Sequence, residues 1–397
     1  MRLAPQNESE LAEIFRDAAA HAAPLRLLGQ GSKRALGRPP AGEAVSLAAF
    51  SGVTLYEPEE LVISAGAATP RVEIEALLDA HGQELAFEPI DFGALFGSGP
   101  GTLGGLVATG GSGPRRIRAG ALRDHLLGFR CVTGRGEIVK SGGRVMKNVT
   151  GYDLSKLVAG SLGTLAALTE VSLKVLPKAS SEATLLVVGL DEAQSLAALR
   201  QATQAPVDAS GFAMLPAGPP PLSLAKNAAA IRLEGPSISL QSRRDELIAL
   251  LTPQGGSFET LDAGASRSLW RALRDAEPVT QEPGQLWRVS LAPTDGAGLL
   301  AGLRVAGSAP IAHFYDWAGG LVWLRFDGAS DAHAGTLRPI VEKLGGQATL
   351  LRAGEEIRSR VGVFQPKSSA LAALSRRVKE SFDPAHILER GRLCAEF

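Results

Sequence analysis

Residues 25–33 read Leu-Arg-Leu-Leu-Gly-Gln-Gly-Ser-Lys, a short apolar run that leads directly into a glycine-rich loop. The apolar residues 25–28 are typical of a short strand. Gly29 and Gly31 permit backbone conformations and close approaches that a Cβ atom would forbid. A strand that leads into such a loop predicts a ligand site. Its candidate residues are Gly29, Gln30, Gly31, Ser32 and Lys33.

A second glycine-rich stretch, residues 97–113, encloses the short apolar piece 103–108. Residues 99–104 match the G-x-G-x-x-G pattern, and Asp124 follows at about the distance of the acidic residue in a dinucleotide-binding Rossmann unit. We reject that interpretation, because residues 92–98 make a poor strand and residues 110–114 cut the following helix short.

The same stretch is better explained as a cradle for a pyrophosphate. Residues 101–105 can present successive backbone N–H groups at the start of a short helix. We expect the Thr102 hydroxyl to donate one further hydrogen bond, and Gly104 and Gly105 to allow close approach of the backbone. Taken alone, the glycine cluster also fits a mobile surface loop, but its place in the wider pattern favours the cradle.

The surrounding segments alternate between strands and helices, which indicates an α/β or α+β layered domain in the first part of the chain and an α+β domain in the second. The first part contains an opening helix with Asn7 and Glu10 in a capping-box relation, strands at 44–47, 61–64 and 84–87, a helix after Pro70, a hairpin around 134–136 and a strand at 167–176. The second part contains strands at 185–188, 229–233, 287–291 and 321–326, helices near 194–200, 243–251 and 298–303, a loop at 216–221 and a last helix at 371–382. We therefore predict a first domain, 1–178, a second α+β domain, 179–350, and a C-terminal segment, 351–397, that returns to the first.

The composition excludes several classes of function. Forty-one basic residues balance forty-one acidic ones, so no net positive field attracts nucleic acid or an anionic membrane. No apolar stretch approaches the roughly 20 residues of a spanning helix, and the N-terminus lacks the apolar core of a signal peptide. Cys131 and Cys394 lie far apart without metal-ligand spacing. We expect a cytoplasmic protein with no disulfide, zinc or iron–sulfur site.

The order of these motifs resembles the FAD-binding domain of the vanillyl-alcohol oxidase and p-cresol methylhydroxylase (PCMH) type. The likeness rests on residues 25–33, 61–67, 101–109, 160–165 and 169–173, which follow one another in the family order. It implies a two-subdomain PCMH-type FAD-binding domain followed by an α+β cap domain with an antiparallel sheet, which serves the substrate. It also implies that FAD contacts the first loop and Pro100, Gly101, Thr102, Gly104, Gly105, Ala108, Lys147, Asn148, Tyr152, Asp153, Gly163, Thr164 and Val171.

Within that family, residues 145–157, 173–177 and 313–319 resemble the flavoprotein subunits of glycolate oxidase, and of these the E type. The resemblance implies a complex with a second FAD subunit and an iron–sulfur subunit. The complex oxidises glycolate, or a similar small 2-hydroxy acid, and passes electrons toward quinone. Association with the inner membrane then comes through the partner subunits. Two alternatives stay open: a self-sufficient dehydrogenase acting on D-lactate or a similar acid, and a flavin-binding scaffold that does not contact substrate.

The sequence departs from the family at three places. Gly31 stands where covalent members carry a histidine, so we expect non-covalent FAD. The H-x-G-D-G-N-x-H metal and substrate motif of the catalytic D subunit and of D-lactate dehydrogenases does not occur, which argues against autonomous turnover and predicts no metal site. The closing segment 382–388 resembles the family motif, but Glu389-Arg390-Gly391-Arg392 replaces the usual Asn-Pro-Gly followed by a basic residue.

Candidates for catalysis come from chemical requirements. Oxidation of a 2-hydroxy acid needs a cation for the carboxylate and positive charge near the flavin. Arg288 and His313 are the candidates, with Tyr315 and Trp317 lining the pocket. A structural role is the more common outcome for an isolated histidine such as His313.

Two polar residues in the segment 145–157 are candidates for holding the flavin itself. Lys147 and Asn148 precede Gly151, and charge-assisted hydrogen bonds from them suit the isoalloxazine or its ribityl chain. The alternative is a solvated loop with a turn at Gly151. Asp124 and His125 are left out of the site, because a helix cap or a surface ion pair explains them equally well.

Overall fold

The computed structural model describes residues 2–143, 152–218 and 223–396. The chain forms two compact units. Unit 1 consists of Met1–Ser112, Gly120–Lys178 and Pro366–Phe397, and unit 2 consists of Gly113–Ala119 and Ala179–Gln365. The domain boundaries at residues 178 and 350 stay a prediction. In the described part of the chain, no helix has the length and hydropathy needed to cross a bilayer.

The strands of the described residues are β1 (Arg2–Leu3), β2 (Leu25–Leu28), β3 (Glu43–Ser46), β4 (Val53–Glu57), β5 (Val62–Gly66), β6 (Gln83–Glu84), β7 (Leu126–Thr133), β8 (Ile138–Gly142), β9 (Ala166–Lys174), β10 (Leu176–Pro177), β11 (Ser181–Val188), β12 (Gly211–Leu215), β13 (Ala228–Gly235), β14 (Ser257–Leu261), β15 (Gln285–Ser290), β16 (Ala312–Asp316), β17 (Leu321–Phe326) and β18 (Gln347–Arg352). The α-helices are α1 (Glu8–Ala20), α2 (Arg71–Ala80), α3 (Phe92–Phe96), α4 (Leu103–Thr109), α5 (Arg116–Ala119), α6 (Leu122–His125), α7 (Leu154–Val158), α8 (Glu192–Thr203), α9 (Ser237–Leu251), α10 (Ala263–Arg274), α11 (Glu277–Thr280), α12 (Gly296–Val305), α13 (Ala334–Lys343), α14 (Glu355–Arg360) and α15 (Ser369–Phe382). Single 3-10 turns occur at Thr252–Gln254 and Trp317–Gly319.

The described residues of unit 1 form three sheets. Strands β1, β3 and β2 pair in parallel in that order. An antiparallel five-stranded sheet has the order β4-β5-β9-β7-β8, and β10 pairs with β6. One core lies between the parallel sheet and α1, where Leu11, Phe15 and Val45 are buried together. A second core joins the antiparallel sheet to helices that include α2 and α4.

Local signals in unit 1 predict several elements correctly. Asn7 caps α1, because its side chain accepts from the backbone N–H of Glu10 at 3.0 Å, while the Glu10 carboxylate accepts from the N–H of Gln6 at 2.8 Å. The predicted strand 25–28 is β2, and the apolar piece 103–108 lies in α4. Residues 92–96 form α3, capped by Asp91, which agrees with rejecting a Rossmann strand there.

Unit 2 is built on one eight-stranded sheet with the order β14-β11-β13-β12-β16-β17-β15-β18, and all its pairs are antiparallel. Its main core includes Leu196 of α8, Leu247 of α9, Leu300 of α12 and Leu337 of α13, packed with one face of the sheet. The predicted α+β fold with an antiparallel sheet is confirmed. Strands β12, β14, β16 and β18 were not predicted, since short apolar runs do not distinguish strand from helix.

The C-terminal helix α15 is fixed in unit 1 by a buried ion pair. Lys379 Nζ donates to Asp383 Oδ2 at 2.6 Å and to the backbone oxygens of Thr164 at 2.7 Å and Leu388 at 3.0 Å. Asp383 ends the helix and accepts from the N–H groups of Ile387 and Leu388. Residues 366–397 thereby reach β2, beside which Leu388 forms a parallel bridge to Leu25.

Candidate functional site

A cleft that is open to solvent lies in unit 1. It is bounded by the end of β2 and its glycine loop, by the first turns of α4, and by the loop that leads into β9. Its lining residues are Leu27, Leu28, Gly29, Gln30, Gly31, Ser32, Lys33, Arg34, Leu47, Ala67, Ala68, Thr102, Gly104, Gly105, Ala108, Thr109, Ser161, Leu162, Gly163, Ala166, Leu168, Glu389 and Arg392.

The glycine loop after β2 supplies unused hydrogen-bond donors to this cleft. Gly31 has a φ of +75°, a left-handed conformation that suits glycine. In the ranges that the structure describes, the backbone N–H groups of Gln30, Gly31, Ser32 and Lys33 donate to no protein acceptor. Successive free amides in such a turn form an anion-binding concavity. The loop is therefore suited to a phosphate or pyrophosphate.

The start of α4 differs from what the sequence predicts. The N–H of Gly101 donates to Gln30 Oε1 at 3.1 Å, that of Gly104 to the Ala67 oxygen at 2.7 Å, and that of Gly105 to Thr102 Oγ1 at 3.3 Å. The predicted row of free amides at 101–105 is therefore wrong, because long-range and capping acceptors already use the N–H groups of residues 101, 103, 104 and 105. The segment forms a fixed wall of the cleft, and the loop provides the free amides.

The glycines of these walls are needed for close packing. A Cβ atom on Gly104 would lie 2.6 Å from the Ala67 Cβ, and one on Gly29 would lie 2.9 Å from Thr102 Oγ1. A Cβ on Gly101 would lie 2.5 Å from both Lys33 Nζ and Ser32 Oγ. Side chains at these positions would push the two walls of the cleft apart.

Lys33 places a partly buried cation in the cleft wall. Its ammonium group donates to Ser32 Oγ at 3.1 Å and lies 6.0 Å from the centre of the Phe92 ring. Burial, followed by the nearby Arg71, lowers the pKa of Lys33 to about 8, although Asp91 opposes this change. Arg71 itself is paired with Asp91 at 2.7 Å. Lys33 therefore remains mostly protonated at neutral pH, where an anionic ligand would relieve its isolation.

The C-terminal segment closes the cleft through Glu389 and Arg392. Glu389 Oε1 accepts from the N–H of Leu27 at 2.6 Å, and Oε2 accepts from Arg392 Nη1 at 2.7 Å. Arg392 Nη2 donates to the backbone oxygen of Lys33 at 2.6 Å. The sequence identified Glu389 as a replacement in the closing motif and Arg392 as the basic residue that the motif retains. Their place in that motif was the signal that they belong to the site.

The structure brings some of the predicted cofactor residues together and separates others. Those that line the cleft are Gly29, Gln30, Gly31, Ser32, Lys33, Thr102, Gly104, Gly105, Ala108 and Gly163. Gly101 lies behind the wall, against Lys33 and Ser32. Val171 is buried in the core of β9, and the Thr164 hydroxyl donates to the Ser161 oxygen at 2.7 Å. Tyr152 is 93% exposed, and Asp153 caps α7. Pro100 is not a lining residue, and Lys147 and Asn148 lie outside the described residues.

In unit 2, His313 belongs to a polar cluster around Glu192. Glu192 accepts from the Tyr315 hydroxyl at 2.8 Å and from Arg304 Nη2 at 2.8 Å, and His313 Nε2 lies 3.3 Å from its Oε2. Burial acts to raise the pKa of Glu192, but the hydrogen bonds from these three partners lower it to about 2. The cluster joins β16 to α8, which favours a structural role for His313. Burial and the Glu192 carboxylate also raise the pKa of Tyr315.

Arg288 has a different environment in unit 2. Its guanidinium lies 5.0 Å from the centre of the Trp317 ring and 5.9 Å from that of Trp323. The Trp317 indole N–H donates to the backbone oxygen of Gly113 at 3.1 Å, so Trp317 is fixed in place.

The cleft of unit 1 fits the pyrophosphate of FAD. The free loop amides supply hydrogen-bond donors, and the protonated Lys33 supplies positive charge. The glycines in the walls leave room for an extended dianionic group. Among the described lining residues there is no histidine, cysteine or tyrosine to form a covalent flavin bond.

Comparison with known proteins agrees with this fit. Residues 1–142 match the family described as "FAD binding domain". The chain is 36% identical over 388 residues to the glycolate oxidase subunit GlcE of Escherichia coli (strain K12), covering 97% of each chain. It is 29% identical to the glycolate oxidase subunit GlcD of Bacillus subtilis (strain 168) over 47% of this chain and 39% of that one. A p-cresol methylhydroxylase structure superposes with a TM-score of 0.70 at 15% identity, over 99% of this chain and 88% of that one, and shows the fold alone.

Fold, cleft and family model together define an FAD-binding oxidoreductase of the PCMH type. The alignment with GlcE over nearly the whole length assigns the chain to one family within this class. The chain belongs to the glycolate oxidase GlcE family. The predictions of the fold family and of FAD as cofactor are thereby confirmed.

Proposed function

We propose that this chain is the FAD-binding subunit of a glycolate oxidase complex, which oxidises glycolate to glyoxylate and passes electrons to partner subunits. The observation that carries the proposal is the 36% identity to GlcE over 97% of both chains. A cleft with free loop amides and a partly buried lysine supports it, because an oxidoreductase of this family must hold FAD.

The proposed roles of the residues follow from their positions. The N–H groups of residues 30–33 and the Lys33 ammonium bind the pyrophosphate, and the Thr102 hydroxyl adds a donor. Gly104, Gly105 and Gly163 keep the walls free of side chains. Bound FAD supplies the hydride acceptor for substrate oxidation. With Gly31 in the loop and no reactive side chain among the described lining residues, the FAD is non-covalent.

The further contacts predicted from the sequence are part of the same proposal. They are Pro100, Gly101, Ala108, Lys147, Asn148, Tyr152, Asp153, Thr164 and Val171.

The proposal includes partner subunits. A second FAD subunit and an iron–sulfur subunit accompany this chain, and the complex acts in the cytoplasm, held at the inner membrane through those partners. The missing H-x-G-D-G-N-x-H string supports a division of labour in which a partner supplies that motif.

The test compares the purified chain with its co-purified complex. The absorbance spectrum is recorded before and after anaerobic addition of glycolate, and D-lactate is added to parallel samples. We expect a yellow chain whose 450 nm band stays unbleached alone and bleaches with glycolate in the complex. After acid precipitation, the flavin should be found in the supernatant.

Each other outcome has a defined meaning. Bleaching of the isolated chain by D-lactate or glycolate would favour a self-sufficient dehydrogenase. A yellow chain that stays unbleached even in the complex, while the partner flavin bleaches, would favour a scaffold. A chain that cannot be loaded with FAD would refute the proposal.

A further inference from the structure

Arg288 lies on the sheet face of unit 2 that faces away from the main helical core. Side chains alternate along a strand, and the neighbours Trp287 and Val289 belong to the core formed with α8, α9, α12 and α13. Arg288 therefore shares the opposite face with Trp323, its cross-strand partner on β17. The Trp317 ring lies on the same side, 5.0 Å from the guanidinium.

Arg288 has no acceptor in the described part of the chain. Its guanidinium makes no hydrogen bond and no ion pair with any described residue, and its Nε is buried from solvent. A guanidinium carries five N–H donors, and leaving buried donors unused is costly. Burial, followed by Arg116, lowers the pKa of Arg288 to about 10, so the group is still charged at neutral pH.

Two other arginines over tryptophan rings in unit 2 each have an acceptor or an ion-pair partner. Arg338 lies 4.9 Å from the Trp287 ring and donates to Gln365 Oε1 at 3.1 Å. Arg232 lies 4.6 Å from the Trp270 ring and 3.8 Å from Glu234 Oε2. At Arg338 and Arg232, the neighbouring tryptophan ring is therefore present in addition to an acceptor and does not replace it. Arg288 is the exception among these three arginines.

A second guanidinium approaches the same indole. Arg116 of α5 lies 4.8 Å from the Trp317 ring, and its charge repels that of Arg288. Asp316 offsets part of this charge, and its carboxylate also accepts from the N–H of Trp317 at 2.7 Å. The charge of Arg288 and its unused donors favour an anion over a neutral ligand.

We propose that the Arg288 guanidinium, which lies beside Trp317 and Arg116, binds the carboxylate of a small organic acid in unit 2. A carboxylate fits the planar fork of arginine with two parallel hydrogen bonds, which would use the idle donors. The identity of the acid as glycolate rests on the proposed function. In that case this chain binds the 2-hydroxy acid itself, without the histidine-rich motif.

The test is isothermal titration calorimetry of the FAD-loaded chain with oxalate, a dicarboxylate that the flavin cannot oxidise, and with glycolamide as a neutral analogue. We expect saturable oxalate binding that weakens with salt, and no binding of glycolamide. Arg288→Met should weaken oxalate binding by roughly tenfold or more, as the loss of a charge pair does. Arg338→Met is the matched control, and its oxalate affinity should equal that of the unmodified chain.

The outcomes separate this site from FAD binding. If the chain cannot be loaded with FAD, oxalate is titrated into the FAD-free chain, and binding there would refute the proposed function and leave the carboxylate site standing. A chain that holds FAD but binds no oxalate, or whose Arg288→Met variant binds it as tightly, would overturn the site. If circular dichroism shows that Arg288→Met is unfolded, Arg288→Lys is tested in its place. Weaker oxalate binding by Arg288→Lys would support the two-bond contact of the guanidinium, and unchanged binding would contradict it.

Discussion

Glu389 accepts a hydrogen bond at 2.6 Å from the backbone N–H of Leu27, although 362 residues separate the two in the sequence. The same carboxylate accepts from Arg392, which in turn donates to the Lys33 oxygen. One buried side chain thus joins the C-terminal segment to both ends of the glycine loop, so the end of the chain sets the shape of the cleft at its beginning.

Glu389→Ala should destabilise the chain and release FAD. It leaves the buried Arg392 guanidinium without its carboxylate, and breaking such a pair costs about 3–5 kcal/mol. Urea unfolding of the FAD-free chain measures the stability, and the ratio of 450 nm to 280 nm absorbance measures FAD content. The control is Glu396→Ala, whose exposed pair with Arg376 should contribute no more than ~1 kcal/mol. Equal stability of the two variants would contradict this role for Glu389.

Gly104→Val should abolish FAD retention by displacing a wall of the cleft. A Cβ atom at this position would lie 2.6 Å from the Ala67 Cβ and 2.9 Å from the Ala67 oxygen, so α4 must move away from the end of β5. The matched control is Gly298→Ala on α12, where a Cβ meets nothing within 4 Å and should stabilise the helix by roughly 0.5–1 kcal/mol. Gel-filtered samples of both variants are compared for bound flavin, and a flavin-loaded Gly104→Val variant would contradict the packing.

The sequence predicted those parts of the site that depend on local chemistry. Gly29 and Gly31 follow an apolar run, and Thr102 and Gly110 begin and end a helix too short for a Rossmann crossover. These signals lie within a few residues of what they determine. The first loop and α4 were therefore placed correctly, and the misleading G-x-G-x-x-G match was rejected on the same grounds.

The remaining features depend on distant partners. Nothing within 101–105 shows that the Gly104 N–H is used by Ala67, so free amides were expected at the wrong segment. The role of Glu389 depends on its hydrogen bond with the distant Leu27. The surroundings of Arg288, where Trp317 and Trp323 pack beside the guanidinium, are likewise set by residues far from it in the sequence. Short segments such as β12 form strands because they pair with neighbouring strands of the sheet.

The pH dependence of FAD binding should report on Lys33. Its pKa is lowered from 10.5 to about 8 in the folded chain, and a bound pyrophosphate would raise it again. FAD affinity should therefore be highest below pH 8 and fall between about pH 8 and 10, as the free chain loses this proton. Fluorescence titration with FAD across this range measures the effect. The Lys33→Met variant should bind FAD more weakly with a flat profile, whereas the exposed-residue control Lys140→Met should follow the unmodified chain.

Lys33 should also reduce the stability of the FAD-free chain. Because its folded pKa lies below the ordinary value, the unfolded chain binds more protons between about pH 8 and 10.5. The free energy of unfolding therefore rises with pH in that window. The destabilisation caused by the protonated Lys33 is present in full below pH 8. Lys33→Met should accordingly raise the urea midpoint at pH 7 while weakening FAD binding. A variant that loses both stability and FAD would show that Lys33 supports the fold and not the ligand.

The buried pair Lys379–Asp383 should behave as one energetic unit. Burial lowers the pKa of Lys379, and Asp383 opposes this change, so each charge is tolerated because the other is present. Lys379→Met should cost about 3–5 kcal/mol, since it leaves a buried carboxylate with only the amides of residues 387 and 388. Adding Asp383→Asn should cost less in that background than alone, with a coupling of about 0.5–3 kcal/mol. Urea unfolding of the four chains measures this cycle. Additive losses would mean that α15 is fixed by its separate backbone contacts, because two independent charges show no coupling.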